Sequence, residues 1–276
     1  MITQEQCDEV FDYLNFYIEA VENTETWYEQ CKQAEQLVDY YIGAACCELF
    51  VSMELDAFFH HLIRSAQTRL WALENAEKNR RRDKPQIAES IGRVDKHYRQ
   101  IAKSSNLDGY FCALAAGQTE LAKRIIKYTP KLWFENIEYE DDFFYAQFHY
   151  SALMGESEET LNSILLKLEA ALEGGESARL ALCKAFLSRD AAQCELGFEA
   201  LVSAYDDYLE GASSLTVYEE ALFQVRMPLF VEGLAWLKLL ESRGVYLETE
   251  FKYCPGVART PSYAPFEIST FPYQPV

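Results

Sequence analysis

The chain has 276 residues, with 44 acidic side chains against 25 basic ones and a formal net charge of -19. This charge excludes a general nucleic-acid binder, whose affinity comes from Lys and Arg on the phosphates. Hydrophobic residues make up 49% of the chain, beside only 12 Gly and 8 Pro, which excludes a disordered chain and allows a sizeable core.

The beginning of the chain has neither a basic leader nor an apolar targeting run. No stretch of the sequence approaches 18 uncharged apolar residues, as a membrane-spanning helix requires. We therefore expect a cytoplasmic protein that does not enter a membrane.

Residues 3–243 have the pattern of amphipathic helices almost throughout. In residues 158–172 and 190–209 the apolar side chains recur every three or four positions, and polar side chains fill the opposite face. Turn and cap residues mark where one helix ends and the next begins. The expected N-caps are Thr119, Ser157, Ser177 and Asp190, and the expected stops include Gly155 and Gly244.

Residues 64–103 form a basic segment, with eleven Lys or Arg against five Asp or Glu. Its centre is a run of charges at residues 79–84, just before Pro85. We interpret the segment as a solvated turn between two helices together with basic partners for the acidic body. A binding patch is the alternative.

A weak repeat runs through the middle of the chain. Residues 113–125, 152–164 and 186–198 each have the pattern of a helix end, a tight polar turn and a new amphipathic helix. Their turn positions, Gly117, Gly155 and Arg189, are spaced like the helix-turn-helix unit of tetratricopeptide arrays. The sequence therefore predicts an all-α fold, an irregular array of helical hairpins that resembles a tetratricopeptide α-solenoid.

A dense acidic run with aromatic neighbours begins at Glu138. Residues 135–250 contain 23 Asp or Glu against 7 Lys or Arg. The run is typical of a solvated helix start, because carboxylates favour the positive end of the helix dipole. It also suits a partner-binding surface, with charges that attract the partner and rings that anchor it. The candidate partner-binding residues are Glu138, Tyr139, Glu140, Asp141, Asp142, Phe143 and Phe144.

The C-terminal residues 251–276 hold five of the eight prolines, interleaved with aromatic side chains. Proline opposes a helix, and the segment is too apolar for a free linker. We expect an extended arm packed along the helical body, with a partner-binding arm as the alternative. The whole chain then divides into a helical region at 1–103, a hairpin array at 104–250 and this arm, within one compact domain.

The sequence lacks the local signature of a catalytic or metal site. There is no Gly-rich phosphate loop, nucleophile elbow or paired metal-binding histidines, so we expect no catalytic residues, no cofactor and no metal. The eight cysteines include no CxxC pair and lie within helical apolar patterns. We interpret them as reduced thiols of the core.

Residues 112–259 resemble the immunity protein 49 family of bacterial polymorphic toxin systems. The resemblance begins with the small-residue turn at 113–117 and the Glu-Leu-Ala that follows at 120–122. It continues through the acidic aromatic helix at 196–209. It ends in a closing block made of an apolar helix at 233–237, Arg-Gly-Val at 243–245 and Phe-Lys-Tyr-Cys-Pro at 251–255. Residues 1–103 and those after Arg259 depart from the family pattern.

The resemblance implies a protein that neutralises a cognate toxin by occluding it, without enzymatic turnover. Because many such toxins are nucleases, the expected partner is a basic protein, which an acidic inhibitor attracts. The first alternative is a helical-repeat scaffold or adaptor for a cellular protein. The second is an enzyme that reverses a toxin's modification of its target.

Overall fold

The helices follow one another through almost the whole chain. A computed structural model describes residues 2–82, 88–212, 215, 220–247 and 250–260, with the backbone alone at 88–94. The helices of these residues are α1 (Gln4–Asn23), α2 (Trp27–Cys47), α3 (Leu55–Arg82), α4 (Ala88–Ala102), α5 (Asp108–Ala115), α6 (Thr119–Tyr128), α7 (Glu140–Met154), α8 (Glu158–Ala171), α9 (Ala178–Ser188), α10 (Ala191–Ala212), α11 (Ala221–Arg226) and α12 (Val231–Ser242). The described residues contain no β-strand, so the predicted all-α class is confirmed.

Three predicted turns shape the middle of the molecule. Gly117, Gly155 and Arg189 all have left-handed backbones, with φ of 69°, 70° and 56°. Each turn joins two helices that contact one another: α5 with α6, α7 with α8, and α9 with α10. The left-handed residue ends one helix and redirects the chain, which confirms the predicted array of hairpins.

Side-chain caps fix most of the predicted helix starts. The Ser157 hydroxyl accepts a hydrogen bond from the Thr160 amide, and the Ser177 hydroxyl accepts one from the Leu180 amide. Asp190 likewise accepts one from the Gln193 amide at 3.0 Å. The prediction for Thr119 is wrong, because Gln118 occupies the cap position of α6 and Thr119 is already helical.

The first three helices build a thick N-terminal layer. Helix α2 packs between α1 and α3, and a five-residue π-helical turn, Glu48–Ser52, ends it. Helix α3 also packs against α5 and α6. At the crossing of α3 and α5, a Cβ on Gly109 would lie 2.3 Å from the Cβ of Arg69, so only glycine permits this approach.

The last helices fold back onto the first half of the chain. Helix α11 contacts α1 and α2, and α12 packs on α5. The Trp236 side chain of α12 is completely buried. A single apolar cluster extends from Leu14 to Ala258, so the core is continuous across residue 103 and residue 250.

Several arginines of the basic segment bind groups of the same chain. Arg80 and Arg81 both pair with Glu77, and Arg99 pairs with Asp95. These pairs lie within the segment itself, whereas Arg69 pairs with Glu35 outside it. Residues 83–87 lie outside the described ranges.

The described part of the C-terminal segment packs against α12. Phe251 and Cys254 form an isolated antiparallel bridge, and Gly256–Arg259 form a 3-10 helix, where the sequence predicted extended chain. Pro255 occupies the cap position of this short helix, where its missing N–H and restricted φ are tolerated. The rest of the predicted arm, 261–276, lies outside the described residues.

The cysteines occupy the interior. All eight are buried free thiols, which confirms the predicted core location. Burial raises the pKa of Cys31 and of Cys46 to about 12, so these thiols stay protonated at neutral pH.

Candidate functional site

A cleft opens where α10 faces the first turns of α9 and α12. Its larger part has a volume of about 710 Å³, and a neighbouring depression of about 390 Å³ continues it toward α2 and α11. Asp108, Tyr205, Tyr208 and Arg226 line both parts, so the two form one cleft. A volume of this size is typical of a ligand-binding site.

Arg179 organises one end of the cleft. The Ser177 cap begins α9 two residues earlier and so holds Arg179 in the first turn. Its guanidinium binds both oxygens of Glu232 at 2.9 and 2.7 Å and donates to Asp142 at 3.0 Å. Burial acts to lower the pKa of Arg179, but Glu232, Tyr145 and Asp142 together outweigh it and the pKa is raised. The arginine therefore stays charged and joins α7, α9 and α12.

A hydrogen-bonded chain supports this end from the core. The Trp236 indole donates to the Tyr145 hydroxyl at 2.6 Å, and that hydroxyl donates to Glu232 at 2.6 Å. The Arg179 guanidinium carbon lies 4.5 Å from the centre of the Tyr145 ring. These contacts fix the carboxylate of Glu232 from two sides.

Arg226 organises the other end of the cleft. It donates to Asp39 at 2.7 Å and to Asp108 at 3.3 Å, which joins α11 to α2 and α5. Burial raises the pKa of Asp39 to about 6, although Arg226 acts to lower it. The protonation of this carboxyl thus changes in a range close to neutrality.

Two tyrosines stand between the charged ends. Tyr205 stacks on Phe230 with ring centres 4.3 Å apart, and its hydroxyl donates to the Met227 carbonyl at 3.3 Å. Tyr208 lies next to it at 6.2 Å and exposes its ring to solvent. Tyr205 is thus held in the floor of the cleft by its contacts, while Tyr208 offers an accessible aromatic face at the mouth.

The predicted acidic run borders this cleft. Asp142 accepts from Arg179, which lines the cleft wall. Tyr139 is 79% exposed, and Glu140 begins α7 next to it. Asp141 is partly exposed in the same first turn. The placement confirms the predicted helix start, and the partner-binding surface stays a prediction.

Other members of the run are held by the fold. Glu138 accepts from the Ser105 amide at 2.9 Å and the Phe134 amide at 3.4 Å. Phe143 is only 4% exposed and packs in the interior, so it lies outside any surface that a partner could reach. Phe144 is half-buried, with the Lys167 ammonium 5.8 Å from its ring centre.

An acidic edge extends from this run to the mouth of the cleft. We define it as the carboxylates Glu140, Asp141, Glu173 and Glu176. The first two begin α7, Glu173 follows the end of α8, and Glu176 lines the cleft. Because α7 and α8 are antiparallel partners, the start of α7 lies beside the end of α8.

Three carboxylates of the cleft, Glu232, Asp39 and Asp108, are paired with arginines. The residues that line the cleft include no histidine and no cysteine. Within the described ranges, no three His, Cys, Asp or Glu side chains are grouped as metal ligands. None of the helices described is long and apolar enough to cross a membrane.

No family model, curated protein or solved structure gives a significant match to this chain.

Proposed function

We propose that the protein binds a basic protein partner and, in line with its resemblance to the immunity protein 49 family, neutralises a cognate toxin by occluding it. The toxin is of the nuclease type, whose basic surface holds phosphates. One toxin molecule is bound by one molecule of this protein, and binding itself is the protective act.

The observation that carries this proposal is the way the basic side chains are used. Residues 135–250 contain only seven Lys or Arg against 23 Asp or Glu. Five of the seven form ion pairs with carboxylates of the same chain: Arg179, Lys184, Arg189, Arg226 and Lys238. The acidic surplus is therefore left for interactions outside the chain.

The acidic edge places some of these unpaired carboxylates beside the cleft. Glu173 and Glu176 are exposed beside a cleft that has Tyr205 in its floor and Tyr208 at its mouth. Such a cleft suits a basic segment whose cationic side chains meet carboxylates at the rim and rings at the mouth. Long-range attraction by the net charge speeds the encounter.

Neutralising the acidic edge should slow binding without unfolding the protein. The variant combines Glu140→Gln, Asp141→Asn, Glu173→Gln and Glu176→Gln. With the cognate toxin, we expect an association rate about tenfold lower at low salt, because steering charges act mainly on the on-rate. The difference should shrink near 1 M salt, where the screening length is about 3 Å. Stopped-flow mixing at several salt concentrations measures both effects.

A matched control removes the same four charges elsewhere. It combines Glu25→Gln, Glu54→Gln, Glu156→Gln and Glu199→Gln, at positions that do not line the cleft. The control should retain most of the parent association rate. Equal slowing in the two variants would mean that net charge alone matters and would contradict a local role for the acidic edge.

A further inference from the structure

Helix α1 presents an aromatic cluster on its outward side. We define the α1 aromatic face as Tyr13, Phe16, Tyr17 and Tyr40. Tyr13 is 46% exposed and Phe16 is 58% exposed. The ring centres of Tyr13 and Tyr40 are 5.6 Å apart, those of Tyr17 and Tyr40 are 5.1 Å apart, and those of Phe16 and Tyr17 are 5.2 Å apart. The four rings thus form a continuous patch across α1 and α2.

The packing of α1 does not require Tyr13 and Phe16. The helix buries a complete apolar stripe against its neighbours: Cys7, Val10, Leu14, Ile18 and Val21. Tyr13 and Phe16 are additional apolar surface outside that stripe. Adjacent exposed rings of this kind mark an interaction site more often than isolated apolar side chains do.

The charge around the rings has one sign. Helix α1 contains six Asp or Glu and no Lys or Arg. Glu9 and Asp12 are exposed one helical turn before Tyr13 and Phe16, and Glu19 is exposed one turn after Phe16. Each of the two rings therefore has a carboxylate on the neighbouring turn of the same helix.

We propose that the α1 aromatic face docks an arginine-bearing segment of the basic partner. A guanidinium stacks on the faces of Tyr13 and Phe16 while it pairs with a carboxylate one turn away. Arginine fits this surface better than lysine because its planar cation can stack and form hydrogen bonds at the same time. The inference rests on the proposed function in one respect, the basic character of the partner.

Charge complementarity selects this occupant over two others. A second copy of the chain would bring the same six carboxylates against the face, and like charges oppose such a contact. The C-terminal residues 261–276 contain no Lys or Arg and one Glu, so they do not complement an acidic helix.

The face also continues toward the cleft. Tyr40 directly follows Asp39, which lines the smaller depression. Glu220 lines the same depression and acts on the hydroxyl of Tyr40 through its charge. A partner seated at the cleft can therefore extend a basic segment onto α1.

The test measures the preference for arginine over lysine with synthetic peptides. A fluorescent nona-arginine peptide and a nona-lysine peptide are titrated against the full chain by anisotropy. The variant Tyr13→Leu with Phe16→Leu keeps the charge, the apolar character and the helix propensity but removes the two ring faces. We expect the variant to bind nona-arginine about tenfold more weakly than the parent does, because each lost ring face should weaken binding roughly threefold. It should bind nona-lysine almost as tightly as the parent does.

A control on another exposed ring separates this site from general stickiness. Tyr246→Leu removes a ring that is 68% exposed outside α1 and should leave both affinities unchanged. Equal binding of the two peptides by the parent, or an unchanged arginine preference in the double variant, would overturn the proposal. So would concentration-dependent dimerisation of the parent that the double variant abolishes. The peptides involve no toxin, so this result is independent of whether the toxin complex forms.

Discussion

Replacing Arg69 with Met is expected to lower the free energy of unfolding by about 3–5 kcal/mol, because it removes one partner of a buried charged network. Arg69 is 1% exposed, in the middle of α3. It donates to the Ile101 carbonyl at 2.7 Å and to the Lys103 carbonyl at 3.1 Å, at the end of α4. It also lies 3.4 Å from a carboxylate oxygen of Glu35. The substitution removes the donor from all three acceptors and leaves the Asn106 side chain and amide as donors to Glu35 and Lys103.

Urea unfolding at pH 7 measures this effect through the midpoint and the slope. The matched control is Arg81→Met, which breaks an exposed pair with Glu77 on the same helix. An exposed pair contributes at most about 1 kcal/mol, so the control should unfold close to the parent. Similar losses in the two variants would mean that Arg69 does not hold α4 to α3.

His149 should make the protein progressively less stable in acid. Its ring is completely buried among aromatic side chains, including Trp236 at 4.3 Å between ring centres. Neither ring nitrogen has a hydrogen-bond partner in the described structure. Burial lowers the pKa of His149 to about 3, and the charge of Arg179 acts in the same direction.

The sign of the effect follows from where the proton binds. Below about pH 6.5 the unfolded chain takes up a proton on this imidazole, whereas the folded chain does so only near pH 3. The unfolded state binds more protons, so stability falls as the pH falls. The loss approaches about 1.4 kcal/mol per pH unit well below pH 6.5 and amounts to roughly 2.3 kcal/mol between pH 6.5 and 4.5.

The variant His149→Leu removes this titration and keeps an apolar side chain of similar size. Its stability relative to the parent should rise by about 2.3 kcal/mol between pH 6.5 and 4.5. Because the comparison is a difference of slopes, the opposite contribution of Asp39, whose pKa is raised to about 6, cancels. Parallel pH profiles for the two proteins would show that His149 is protonated in the folded state.

The local patterns of the sequence predicted the hairpins because their signals are close together in the chain. The turns at Gly117, Gly155 and Arg189 and the caps at Ser157, Ser177 and Asp190 involve residues only a few positions apart. Even there, the predicted N-cap of α6 was one residue too late. Gly117 and Gln118 together complete the turn, so Gln118 rather than Thr119 occupies the cap position.

The cleft could not be predicted in the same way. Arg179 binds Glu232 across 53 positions, and Arg226 binds Asp39 across 187. No local spacing encodes such a pair. Each residue by itself resembles an ordinary charged residue on a helix surface, and it is the return of α11 and α12 that brings the pairs together.

The acidic run was partly visible from the sequence and partly not. Its composition indicated a helix start and an accessible surface, which suits Tyr139 and Glu140. It could not distinguish Phe143, which faces the interior, from Phe144, which is half-buried. The reason is that the position of the helix face depends on how α7 packs against α8 and α9.

The most direct test of toxin neutralisation is co-expression with the product of a neighbouring gene that arrests growth on its own, at graded levels of this protein. The proposal predicts a copurifying complex of one molecule of each and growth restored only when this protein reaches the amount of toxin. Rescue by a small fraction of that amount would instead indicate an enzyme that acts repeatedly. The absence of both complex and rescue would contradict neutralisation and leave the adaptor for a cellular partner.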